Sequence, residues 1–197
     1  MTSTHTLAEI AAKFARIDGI EDENHATFEK GLRNLVQRHF LPQTTQQGRI
    51  FLYNNAAAVT IRLAQVAAEF GLPRASIENL SRWLSESGER REKQGSGWRG
   101  VPRAEEAIQR LNAGESFGLH VVMRADRSVI VKADWKSDRS AEIEAMPNGK
   151  RAEVKQRRAN IRQAAADIGV TNVSPEIARF SLPASALIAE ILPSLKA

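Results

Sequence analysis

At 197 residues, with 42% hydrophobic and 26% charged side chains, the chain carries enough apolar material for one full-sized domain or two small ones and has neither a disordered nor a fibrous composition. It contains no cysteine, which excludes disulfides, thiolate metal sites and cysteine nucleophiles. No apolar run approaches the roughly 18 residues of a membrane helix. The opening MTSTHTLAEIAAKF lacks a basic leader and a continuous apolar run, so no secretory signal is expected and a cytoplasmic location is.

The net charge of +5 is unevenly placed. Residues 1–60 hold six basic and six acidic side chains, yet between residues 27 and 50 Glu29 is the only acid, against Lys30, Arg33, Arg38 and Arg49. A basic face inside a neutral segment points to a polyanionic partner.

The first amphipathic pattern is TLAEIAAKFARI. Leu7, Ile10, Ala11 and Phe14 follow the i, i+3, i+4, i+7 spacing of a short helix, and Thr6 with Glu9 has the spacing of a capping box. The acidic stretch DGIEDENHA breaks the pattern. TFEKGLRNLVQRHFL resumes it as a helix over 27–40, with Phe28, Leu32, Leu35, Val36 and Phe40 on one side. Thr27 is placed to cap this helix and Pro42 to stop it. A polar tip at 44–50 leads into RIFLY, whose aromatic and β-branched residues read as a strand with Phe51 and Tyr53 in the core. Asn54 or Asn55 is placed to cap the next helix and Gly71 to end it. Pro73 or Ser76 opens a fourth helix, with Ile77, Leu80, Trp83 and Leu84 on one stripe.

GERREKQGSGWRGVPR is rich in glycine and basic residues and has no core pattern, so 88–102 reads as a linker, with Trp98 packing against the second domain. Beyond it come a short helix at about 103–113, a hairpin from GLHVVMR and SVIVKAD, a basic amphipathic helix in RAEVKQRRANIRQAAADIG, a strand in EIARFSL and a closing helix in ASALIAEIL. In the basic helix Val154, Ile161 and Ile168 form the apolar stripe, and Lys155, Arg157, Arg158 and Arg162 a solvated face. Residues 103–197 thus read as an α/β module for dimerisation or regulation, where a protein partner or effector would bind. His5, His25, His39 and His120 have no ligand spacing, so no metal is expected. Catalytic and nucleotide motifs are absent, so neither an enzyme nor a cofactor is expected.

Taken in order, TLAEIA, LRNLVQRHFLP, QGRIFLYNN and VTIRLAQVAAEFGLPRASIENLSRWL resemble the DNA-binding domain of the MerR family of winged helix-turn-helix regulators, over about residues 4–86. The resemblance implies a mostly helical winged helix-turn-helix domain over 1–87; with the α/β module read from residues 103–197, the expected fold is α+β. It implies that helix 27–40 enters the major groove with Arg33 touching DNA. A wing at 44–50 would track the backbone through Arg49, and Arg62 in the next helix would approach phosphates. Thr27, Lys30, Asn34, Gln37, Arg38 and Gln47 join them as candidates from the polar side of the helix and the wing. Arginine offers a planar fork to phosphate or guanine, and Asn and Gln pair with adenine. The expected partner is double-stranded DNA bound by a homodimer, and the expected role is sequence-specific transcriptional regulation. The turn from Phe14 to Thr27 is longer than the family's, and Gly88 and Gly95 interrupt the chain where the family's coiled coil would run. One alternative is an architectural DNA-binding factor for recombination directionality or plasmid maintenance. Another, from a different class, is an interaction module whose basic helices bind an acidic protein or RNA.

Overall fold

The computed structural model describes residues 3–39, 41, 43–138, 146–167 and 174–196, without the side chains of 162 and 164–167. The chain is α+β. It runs β1 (Thr4–Thr6), α1 (Leu7–Ile17), a 3-10 turn (Asp22–Asn24), α2 (His25–Arg38), β2 (Thr45–Gln47), β3 (Ile50–Asn54), α3 (Asn55–Glu69) and α4 (Arg74–Ser85). It continues through β4 (Ser87–Gln94), β5 (Gly97–Pro102), α5 (Arg103–Asn112), β6 (Leu119–Arg124), β7 (Val129–Ala133), α6 (Asn148–Asp167), β8 (Glu176–Leu182) and α7 (Ala184–Lys196). The described strands form three antiparallel sheets ordered β1-β3-β2, β4-β5 and β7-β6-β8.

Local chemistry explains most boundaries. The Thr6 hydroxyl accepts from the Glu9 amide at 3.2 Å while Glu9 Oε2 accepts from the Thr6 amide at 2.7 Å, a reciprocal cap that fixes the start of α1. Asn54 Oδ1 accepts from the Ala57 amide at 2.9 Å and starts α3. Gly71, at φ 79°, follows the last turn of α3 in the left-handed conformation that only glycine adopts freely. One cap differs from expectation, and of the two candidates for the start of α4 the structure takes Pro73. α2 grows out of the 3-10 turn and begins at His25, so Thr27 lies inside its first turn rather than capping it. Ser76 is buried inside α4, which Pro73 opens. Phe40 and Pro42, expected at the end of α2, lie outside the described residues.

α3 organises the interior. Ten of its fifteen residues are buried, and it packs against α2, α4, α5, α7 and β3. A helix apolar around most of its circumference belongs in the middle of a core. That core crosses the expected domain boundary: Ile10, Phe14 and Ile61 belong to one cluster with Ala104, Leu119, Ile188 and Leu192. The two halves therefore share one interior, with α7 packed on α1 and α3.

The expected linker is a hairpin. β4 and β5 pair through Arg91↔Gly100, Glu92↔Arg99, Lys93↔Trp98 and Gln94↔Gly97, closing on a two-residue turn whose Gly95 sits at φ 59°. Charge pairs brace it: the Arg99 guanidinium donates to Glu92 at 2.9 Å across the strands and to Glu105 of α5 at 3.1 Å. Trp98 does not pack against the second half; it is 70% exposed. On α6, Val154 is half-buried but Ile161 is 60% exposed, so the expected apolar stripe is only partly covered. Ile168 and the Arg162 side chain lie outside the described residues.

Candidate nucleic-acid interface

Helix α2 turns Leu32 and Val36 into the core and leaves Thr27, Lys30, Arg33, Asn34, Gln37 and Arg38 exposed. At about 100° per residue these six positions cover roughly 140° of the helix circumference. They form one polar, cationic face. Glu29, at its border, is the only acid of α2 and forms an i, i+4 ion pair with Arg33, whose side chain remains 56% exposed. The pair restrains the guanidinium without burying it. Such exposed pairs contribute about 0.3–0.5 kcal/mol, far less than a competing phosphate could draw from a free arginine.

The hairpin β2–β3 stands beside this face. Residues 45–47, expected in a loop tip, instead pair with β3 through Thr45↔Leu52, Gln46↔Phe51 and Gln47↔Ile50. Only Gly48 and Arg49 remain as the turn. Gly48 at φ 61° supplies the positive first position that a two-residue II′ loop requires, and Gln46 Nε2 donates to its carbonyl at 2.8 Å. The consequence is a stiff, two-strand support that presents Arg49, with Gln47 exposed next to it. β3 is the central strand of its sheet, flanked by β1 through His5↔Tyr53 on the other side.

Between α2 and this hairpin lies an open groove of about 550 Å³, lined by Arg33, Val36 and Gln37 from the helix, Arg49, Ile50, Phe51 and Tyr53 from the hairpin, and Thr6–Ala8 at the start of α1. The structure thus brings Arg33, Gln37 and Arg49 to one concavity. Tyr53 is 3% exposed, and burial raises its phenol pKa; Phe51, two residues nearer the tip on the same strand face, has passed the edge of the core and is 44% exposed. Phe51 is therefore a groove wall rather than the core residue expected. Ile50 and the α1 N-terminus are contributors that the sequence did not single out. A period-two reading puts Phe51 on the face of Tyr53 but does not show where along the strand the core ends.

Arg62 does not join them. Its side chain is 6% exposed and donates to both carboxylate oxygens of Asp18, at 2.7 and 2.6 Å, with Glu190 of α7 at 3.7 Å. Burial disfavours its charge, but the hydrogen bonds and charge of Asp18, then the charges of Glu190 and Glu69, outweigh that and raise its pKa. Its guanidinium also lies 5.5 Å above the Phe14 ring. The expected phosphate contact is thus an internal clamp that fixes the turn after α1 to α3 and α7.

A second buried network explains other basic residues. Arg110, 1% exposed on its side chain, bonds Glu106 at 2.7 Å, Glu115 at 3.1 Å and Asp138 at 3.1 Å, and sits 5.0 Å over Trp135. Arg90 of β4 reaches Asp138 at 3.0 Å. These cations are neutralised inside the protein. Other cations are exposed as well, Arg16, Lys155 and Arg157 among them, but Arg33 of α2 and Arg49 share one groove.

Among the described residues, no helix is long and apolar enough to cross a membrane. Compared with known proteins, the chain matches no family model, no curated protein and no solved structure.

Proposed function

We propose that the chain binds double-stranded DNA as a MerR-like winged helix-turn-helix protein and acts as a sequence-specific transcriptional regulator. The observation that carries this reading is the groove that unites Arg33 and Gln37 of α2 with Arg49 on a rigid two-residue turn. A major groove about 12 Å wide admits one helix. With α2 laid in it, Asn34 and Gln37 face base edges, Lys30, Arg33 and Arg38 reach base or phosphate, and the Gly48–Arg49 turn follows the adjacent backbone, with Thr27 and Gln47 at the margins. Phosphate contacts fix the register and base contacts select the sequence. The reading takes a homodimer on two half-sites about one helical turn apart as the binding form.

The test is fluorescence anisotropy with duplex fragments from the DNA around the protein's own gene. Tight binding to one fragment, lost in Arg33→Ala and in Arg49→Ala, is the expected result. Equal, weak binding to every fragment, retained in both variants, would refute it and leave an acidic protein or RNA as the partner of the basic face.

A further inference from the structure

The β4–β5 hairpin sorts its charges by face. On the side toward α5, Arg90, Glu92 and Arg99 are half-buried, and every one of them is paired: Arg90 with Asp138, Arg99 with Glu92 and Glu105. Glu92 also accepts from Gln109 of α5. On the opposite side Arg91, Lys93 and Trp98 are exposed, and among the described residues no acid pairs with Arg91 or Lys93. Strand alternation puts Arg91 and Lys93 on one face, and the cross-strand register sets Trp98 directly opposite Lys93 and side-chain-free Gly100 opposite Arg91. The hairpin's two acids are both engaged, Glu92 on the α5 side and exposed Glu89, within the register shift between Ser87 and Arg91, with Ser137 at 2.7 Å and the Asp138 amide at 3.0 Å. What remains outside is two free cations and a large indole, the side-chain chemistry that meets a phosphate backbone and its sugars.

Its position fits the same ligand as the α2 groove. The root of β5 and the root of the β2–β3 hairpin border a common cleft of about 200 Å³, with Gln43, Thr44 and Asn54 on one wall and Arg99, Pro102 and Glu105 on the other. At about 3.3 Å per residue, an eight-residue strand carries its tip about 23 Å from that root, a distance of about two thirds of a helical turn of duplex. The turn design is shared as well, each tip closing on a glycine at positive φ, Gly48 and Gly95.

We infer that β4–β5 is a second wing, which extends the protein's contact to duplex DNA flanking the segment read by α2, through Arg91, Lys93 and Trp98. This rests on the duplex-binding reading above and adds a separate surface to it. Arg91 and Lys93 each displace counterions from a phosphate, and Trp98 packs its ring on the sugar edge of the groove between them.

The two ideas separate on duplex length. Anisotropy is measured on mixed-sequence duplexes of about one and about three helical turns, roughly 10 and 30 base pairs, across a salt series. The double variant Arg91→Ala/Lys93→Ala keeps wild-type affinity on the short duplex. On the long one it loses about tenfold, and its log K against log salt slope is shallower by about 1.8, at 0.9 per phosphate. Trp98→Ala loses affinity on the long duplex only, without changing the slope. Arg91→Lys/Lys93→Arg restores both affinity and slope, which a folding defect would not permit. Wild-type behaviour of both Ala variants on the long duplex, with Arg33→Ala still impaired, would overturn the second wing and leave the α2 reading intact. No duplex binding by the wild type at either length would overturn both. A preference for single strands over duplex, abolished by Trp98→Ala, would overturn the flanking-duplex role and make the hairpin a base-stacking site.

Discussion

Replacing Arg62 separates its two possible roles, because a buried clamp and a phosphate contact fail differently. In Arg62→Met the aliphatic stem is kept and the charge removed. Asp18 is left with Gln65 as its remaining side-chain donor, at 3.4 Å. Breaking one partner of a buried pair costs about 3–5 kcal/mol. The Asp18 side chain is 23% exposed, so water partly rehydrates it and the lower end applies, about 3 kcal/mol. At roughly 2–4 °C per kcal/mol for a chain of this size, the melting temperature falls by about 6–12 °C. Asp18→Ala costs at least as much, since it leaves a guanidinium that is 6% exposed with Gln65 at 3.3 Å and the more distant Glu190 at 3.7 Å as its side-chain acceptors. Urea unfolding of both single variants and the double variant gives the coupling, expected at about 2 kcal/mol or more. Duplex affinity at a temperature where the variants remain folded should keep its wild-type salt slope. A melting shift under about 2 °C together with a slope reduced by about 1 would refute the clamp and return Arg62 to the phosphates.

Three other outcomes rest on the same geometry. His39 is buried at the end of α2, and burial, reinforced by Arg74 and Arg38 against Glu78, holds its pKa below the ordinary 6.5. Between the two values the unfolded chain binds a proton that the folded chain does not; stability is therefore full above pH 6.5 and declines as pH falls below it, and His39→Gln should flatten that decline in urea titrations at stepped pH. Gly88→Ala would place a methyl group onto Glu106 Oε2, inside the carboxylate's bond to the Glu89 amide, and should cost about 2–3 kcal/mol in the same assay, whereas Gly149→Ala, with open space around it, should cost nothing measurable. Glu29→Gln releases Arg33 and removes the one acid of the α2 face; duplex affinity should rise about two- to fivefold with under about 0.5 kcal/mol lost in stability.

The elements governed by near neighbours were legible in the sequence. Thr6 with Glu9, Asn54 with Ala57, and Gly71 each act within three or four positions, so spacing alone located the ends of α1 and α3. The β4–β5 hairpin was hidden because its stabilising contacts are charge pairs, Arg99 to Glu92 and Glu105, rather than an alternating apolar face. Its sequence therefore looked like a linker. Arg62 was misread for a different reason. Its partners lie 44 positions upstream and on α7, and nothing local to TIRL distinguishes an arginine facing Asp18 from one facing solvent. The groove was half legible: the basic face of α2 and Arg49 were visible, but their convergence with Phe51 and the start of α1 depends on how β3 packs between β1 and β2.

The salt dependence of duplex binding tests the central claim most directly. Log K against log salt is measured for the wild type, Arg33→Ala and Arg49→Ala on one duplex, with Arg16→Ala, an exposed arginine of α1 outside the groove, as the reference. The account gives slopes reduced by about 0.9 for each groove variant and an unchanged slope for Arg16→Ala. Equal slopes for all four proteins would contradict it.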